Sequence, residues 1–267
     1  MKSVPFTTGK IAYTIEGKGD CLVFLHGFPM DQRVWKHFKH YFTKLFKVIS
    51  IDLPGFGQSD HLAESHPMSM MAEVVNTVLS KEKIETCILT GHSMGGYVAL
   101  EFANQFPEKL KGLILFHSQA AADDETGKIN RNKAIQSVME NKTDFLNPFV
   151  DGLFDEVFFL FNPEKVQFIK DICQCQTEQA ITAALSGMRD RNDHIDLLKR
   201  IEIPVLFILG KNDSRMPFTK IMTQAALPSQ SELLILDHVA HFGFLENPDA
   251  TGMTIRMFSE KCFSLSK

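Results

Sequence analysis

The sequence predicts an α/β fold: a mostly parallel central sheet with helices on both faces and a helical cap insertion. Three observations carry this expectation. Short β-branched or apolar runs alternate with longer stretches of helical period, and nearly every run ends in a small residue, Asp or His. The alternation then stops between about Gln119 and Ile201, where helical patterns continue without a convincing strand.

Taken in order, strands are expected at Lys10 to Ile15, Cys21 to Leu25, Lys47 to Ile51, Cys87 to Thr90, Gly112 to Phe116, Val205 to Leu209 and Glu232 to Leu236. Between them, Val34, Trp35, Phe38, Phe42 and Leu45 fall on one helical face. Val74, Val75, Val78 and Leu79 do the same after a candidate N-cap at Ser69. Inside the insertion, Ile181, Ala184, Leu185 and Met188 follow the i, i+3, i+4, i+7 rule. These stripes are packing faces. A structureless loop of that length is implausible in a compact domain, so the insertion is expected to be helical and able to act as a lid.

Composition narrows the function classes. The 267 residues carry 28 basic and 32 acidic side chains, for a formal net charge of −4, and 44% are hydrophobic. A chain of this length buries about three quarters of its unfolded surface and needs no disulfide or metal to hold a core. Mild acidity argues against nucleic acid as a partner. No stretch approaches the ~18 consecutive apolar residues of a membrane span, and Met1 to Gly9 lacks an apolar leader core, so a cytoplasmic protein is expected. Five scattered cysteines read as buried thiols, and neither Cys173 with Cys175 nor His37 with His40 has the further ligands a metal site needs. No metal is assigned. The 23 Phe against 3 Tyr and 1 Trp are the compositional oddity, with Phe145, Phe149, Phe154, Phe158, Phe159, Phe161 and Phe168 gathered in the insertion.

The chemistry is concentrated at strand ends. After the run ending at Thr90 comes Gly91-His92-Ser93-Met94-Gly95, with Gly96 behind it and a helical stretch from Tyr97 to Phe106. A strand-to-helix turn this sharp needs glycines on both sides of the central residue, and it projects the Ser93 hydroxyl from the sheet edge. A serine hydroxyl needs a base, and the base is best held by a carboxylate. Asp213, in Gly210-Lys211-Asn212-Asp213, follows the Val205 to Leu209 run and fits the acid; Asp123 and Asp124 are its rivals, and an ordinary turn aspartate is the plainer reading. His241 follows the last strand and fits the base, with His238 as the rival nearer the strand end. Leu25-His26-Gly27-Phe28-Pro29 completes the set: the amides of Phe28 and Met94 are the expected oxyanion hole.

Together the motifs make the sequence resemble the α/β-hydrolase superfamily from end to end. The matched pieces are His26-Gly27-Phe28-Pro29, Asp52-Leu53-Pro54-Gly55-Phe56-Gly57-Gln58-Ser59, Gly91-His92-Ser93-Met94-Gly95-Gly96, Gly210-Lys211-Asn212-Asp213, and His241 with Glu246-Asn247-Pro248. The resemblance implies a Ser93/Asp213/His241 triad, no cofactor, and a core of residues 1–118 and 201–267 carrying a cap at 119–200. Family members that open epoxides or displace halide carry Asp where this chain has Ser93, so an alkyl-enzyme ester is not expected. The leading expectation is a serine hydrolase that cleaves carboxylic esters of small to medium apolar substrates through an acyl-enzyme, as a monomer or homodimer. The alternatives are a carbon–carbon bond hydrolase or perhydrolase using the same triad, or a low-turnover ligand receptor. The first of these needs basic residues in the pocket, for which Arg189 and Arg191 are the candidates.

Overall fold

A computed structural model describes residues 1–265. Eight strands form one sheet: β1 (Lys2–Phe6), β2 (Gly9–Glu16), β3 (Cys21–Leu25), β4 (Lys47–Ile51), β5 (Cys87–His92), β6 (Leu110–Phe116), β7 (Val205–Gly210) and β8 (Ser231–Leu236). Their spatial order is β1-β2-β4-β3-β5-β6-β7-β8; β1 and β2 run antiparallel to their neighbours and the rest are parallel. Every residue of β3, β5 and β7 is buried, as a parallel strand covered on both faces requires, whereas edge strand β8 alternates between more and less exposed positions.

The helices are α1 (Met68–Lys81), α2 (Met94–Gln105), α3 (Glu125–Asp151), α4 (Glu156–Phe161), α5 (Pro163–Gln174), α6 (Glu178–Arg189), α7 (Ile195–Arg200), α8 (Phe218–Ala225), α9 (Gly243–Glu246) and α10 (Pro248–Ser264). Five of them, α3 to α7, lie between β6 and β7, where the strand pattern lapses. Ile181, Ala184, Leu185 and Met188 are all buried on α6. Among the described residues, no helix is long and apolar enough to cross a membrane.

Several elements differ from the sequence expectation, each for a physical reason. Strand β1 was not anticipated, because only its middle residue, Val4, is buried and Pro5 breaks the pattern; proline is tolerated there because the strand is at the sheet edge. Strand β5 runs on through Gly91 and His92, which still pair with Leu115 and Phe116. Residues 34–45 form not one helix but two 3-10 turns, Gln32–Trp35 and Phe38–Tyr41. Trp35, Phe38 and Phe42 close around Phe24, with ring centroids 5.2, 6.4 and 5.2 Å away, while Leu45 is left exposed. Helix α1 is entered through Pro67, whose carbonyl accepts from the Met71 amide, so Ser69 lies inside the first turn rather than at the cap. Helix α3 breaks at Asn141, whose side-chain oxygen accepts from the amides of Thr143 and Asp144 and so restarts the helix as a new N-cap.

Candidate active site

Parallel strands that start together end together, and here β3, β5, β6, β7 and β8 deliver their following loops to one edge of the sheet. Leu25 stands opposite Gly91, His92 opposite Phe116, and Gly210 opposite Leu236. Phe28, Ser93, His117, Asp213 and His241 all follow these ends.

Ser93 occupies φ 51°, ψ −115°, between the last residue of β5 and the first of α2. A non-glycine residue held there costs on the order of 1–3 kcal/mol, so the surroundings must enforce it. They do so by close approach: a Cβ on Gly91 would sit 2.2 Å from the Gly95 carbonyl oxygen, and one on Gly95 would sit 2.6 Å from that of Leu25. The Ser93 amide donates to the Phe116 carbonyl at 3.0 Å, tying the turn to the next strand.

Asp213 and His241 meet directly, with Nδ1 of the imidazole 2.7 Å from Oδ2 of the carboxylate. The other carboxylate oxygen accepts from the Arg215 and Met216 amides at 2.8 and 3.0 Å. Burial alone would raise the Asp213 pKa, but the charge and hydrogen bonds of His241 and His117 outweigh it and hold the group well below the usual carboxylate range. An ionised Asp213 can only accept, so the His241 proton sits on Nδ1 and Nε2 is left bare. The His241 loop is itself clamped. Its amide donates to the Leu153 carbonyl at 3.0 Å, and Glu246 accepts from the amides of Ala240, Phe242 and Asp155.

A third group on Asp213 was not foreseen from the sequence. Nδ1 of buried His117 lies 3.1 Å from Oδ2, and its Nε2 accepts the Gly243 amide at 3.2 Å. That acceptance fixes the tautomer: His117 carries its proton on Nδ1 and donates it to Asp213. Its position directly after β6 was the available signal, the same strand-end logic that marked the others. Burial pushes its pKa down, as it does for His92, whose Nε2 lies 2.8 Å from the His241 carbonyl oxygen. His26 shapes the loop beside Phe28: Nδ1 donates to the Gly27 carbonyl and Nε2 accepts the Leu53 amide, both at 3.0 Å.

The rival residues have other work. Asp123 pairs with Arg131 and Arg191, and Asp124 caps α3 by accepting the Gly127 amide. His238 sits on an exposed turn. Arg189 is bound to Asp190 and Asn132, while buried Arg191 lies over the Tyr97 ring and donates to the carbonyls of Met188 and Ala121. Arg189 is therefore spent at the surface and Arg191 in the framework.

Ser93 and His241 open into one cavity of about 340 Å³. Phe28, Phe145, Phe149, Leu153, Leu185 and Met188 supply its apolar wall, and Gln119, Asp123, Asn130, Arg131, Ser214 and Arg215 its polar one. Among the described residues, Phe145 and Phe149 are the insertion's phenylalanines that reach the cavity; Phe154 packs on Phe242, and Phe161 is exposed. Phe242 and Phe244 are core residues around His92. The ligand-type atoms of His117, Asp213 and His241 lie within 4.8 Å of one another. Both imidazoles turn a protonated Nδ1 toward the same carboxylate oxygen, a donor set made for hydrogen bonds and not for a cation.

Residues 20–154 match the alpha/beta hydrolase fold family. A pimeloyl-[acyl-carrier protein] methyl ester esterase of Wigglesworthia glossinidia brevipalpis is 28% identical over 258 residues, covering 93% of this chain and 97% of that protein. The AB hydrolase superfamily protein YisY of Bacillus subtilis is 28% identical over 251 residues, covering 91% and 92%. Among solved structures, a malate-bound thermophilic esterase from Thermogutta terrifontis superposes with a TM-score of 0.94 at 28% identity, covering 98% of this chain and 99% of that one.

Proposed function

The chain belongs to the alpha/beta hydrolase fold family and is a hydrolase, and we propose that it cleaves carboxylic esters through an acyl-enzyme on Ser93. The observation that carries this reading is the 2.7 Å His241–Asp213 pair, whose imidazole opens onto the same cavity as a serine in strained backbone geometry. Ionised Asp213 keeps the bare nitrogen of His241 available, so the imidazole takes the Ser93 proton as the hydroxyl attacks the carbonyl carbon. Negative charge gathers on the carbonyl oxygen, where the amides of Phe28 and Met94 serve as donors. The imidazolium then protonates the leaving alkoxide, and water repeats the sequence to release the acid. Phe28, Phe145 and Phe149 favour an acyl or alcohol part with apolar surface.

The helices of residues 119–200 act in this reading as a cap on a core of 1–118 and 201–267. Gln176 joins the two, donating to Asp31 at 2.8 Å and accepting the Gly57 amide at 3.0 Å. The test is Ser93→Ala. Turnover of p-nitrophenyl butyrate should fall about ten-thousandfold or more with an unchanged circular dichroism spectrum; retained activity would remove Ser93 from the mechanism.

A further inference from the structure

Two guanidinium groups line the cavity, and they differ in what holds them. Arg131 is bound: its Nε donates to Asp123 Oδ2 at 2.9 Å, and Asp123 Oδ1 also takes Arg191 at 2.7 Å. One carboxylate thus serves two arginines. Arg215 lies on the rim with its guanidinium carbon 4.7 Å from the Phe149 ring centroid. Among the described residues its guanidinium has no carboxylate within 4.0 Å and donates no hydrogen bond. Glu140 and Asp144 border the adjoining outer groove, where Asp144 is engaged by Asn141. Asp213 uses its oxygens on His117, His241 and the backbone amides of Arg215 and Met216.

The wall therefore carries more positive charge than its carboxylate compensates. Arg215 as a residue is exposed at this rim, and partial loss of hydration and the like charge of Arg131 lower its pKa. A planar fork of donors braced on an aromatic ring suits a carboxylate, which it can bind through two parallel hydrogen bonds. We propose that Arg215, backed by Arg131, is an anion subsite of this cavity, so that the preferred substrates are esters bearing a carboxylate remote from the scissile bond. The apolar stem joining the two groups lies along Phe145 and Phe149. This inference rests on the ester-hydrolase reading and narrows it.

The test compares monomethyl esters of straight-chain dicarboxylic acids of increasing length with methyl esters of the matching monocarboxylic acids, followed by proton release. The wild-type enzyme should favour the best half-ester by about tenfold or more in kcat/KM. Arg215→Gln should remove most of that advantage, chiefly through KM, and Arg215→Lys should retain part of it. Measurable turnover at equal rates on the two series, or a preference that survives Arg215→Gln, would overturn the subsite. Calorimetric titration of a half-ester into Ser93→Ala reads the same subsite without turnover. Binding that weakens about tenfold in Ser93→Ala/Arg215→Gln supports it, and binding indifferent to Arg215 overturns it. Arg215-dependent binding with no ester turnover by the wild type would keep the subsite and refute the ester reading alone.

Discussion

Behind the floor of the cavity each oxygen of Asp213 has two partners, while on its wall, two residues along the chain, the Arg215 guanidinium pairs with no carboxylate among the described residues. The floor is made by loops leaving parallel strands, locked by backbone register and buried hydrogen bonds. The wall is made largely by helices inserted between β6 and β7, with aromatic and charged side chains facing open volume. The contrast separates two tasks. Groups that move protons need one orientation, which saturation provides; groups that choose a substrate need unfilled capacity.

Disturbing the floor should therefore damage rate, and disturbing the wall should change preference. The largest effect is expected from Asp213→Asn, which alters the proton arrangement of His241 and leaves its charged form unsupported. It should lower kcat on p-nitrophenyl butyrate by about a thousandfold or more, measured under saturating substrate. A loss confined to KM would place Asp213 on the wall side of the contrast.

His117→Phe is the next cut. It removes a donor from Asp213 and orphans the Gly243 amide, so urea unfolding should show a loss of about 1–3 kcal/mol. Retained stability would mean that the third contact on Asp213 contributes little.

Acid should act on the framework more gently. Burial lowers the pKa values of His26, His92 and His117, and lowers that of His66 to about 4 with His61 adding to the effect. The unfolded chain binds protons at these histidines near pH 6.5 and the folded chain does not, so stability declines as pH falls below about 6.5 and continues to do so toward 4. The Tm at pH 4.5 should be lower than at pH 7 by roughly 5 °C or more; a flat profile would argue that these imidazoles are accessible to protons in the folded state.

The same contrast explains what could be read from the sequence. Strand ends and the elbow are local patterns, so β3 and β4 match their expected bounds, and the candidates Ser93, Asp213 and His241 each rest on a few neighbouring residues. The wall is a product of long-range packing. Arg131 and Arg215 are 84 positions apart in the chain, and nothing in either neighbourhood says that they share a cavity, whereas Arg189 and Arg191 sat in an informative-looking cluster but are spent on Asp190 and Asp123. The ring count was equally uninformative, since abundance in the insertion does not tell which phenylalanines face inward.

In the proposed mechanism the strained serine at the floor carries the acyl group between the two halves of the reaction. The most direct measurement is acid quenching of the enzyme during turnover of p-nitrophenyl butyrate, followed by peptide mass mapping, with Ser93→Ala as control. One butyryl group per chain is expected, on Ser93 and absent from the control. Steady turnover with no adduct, or with the adduct on another residue, would contradict it.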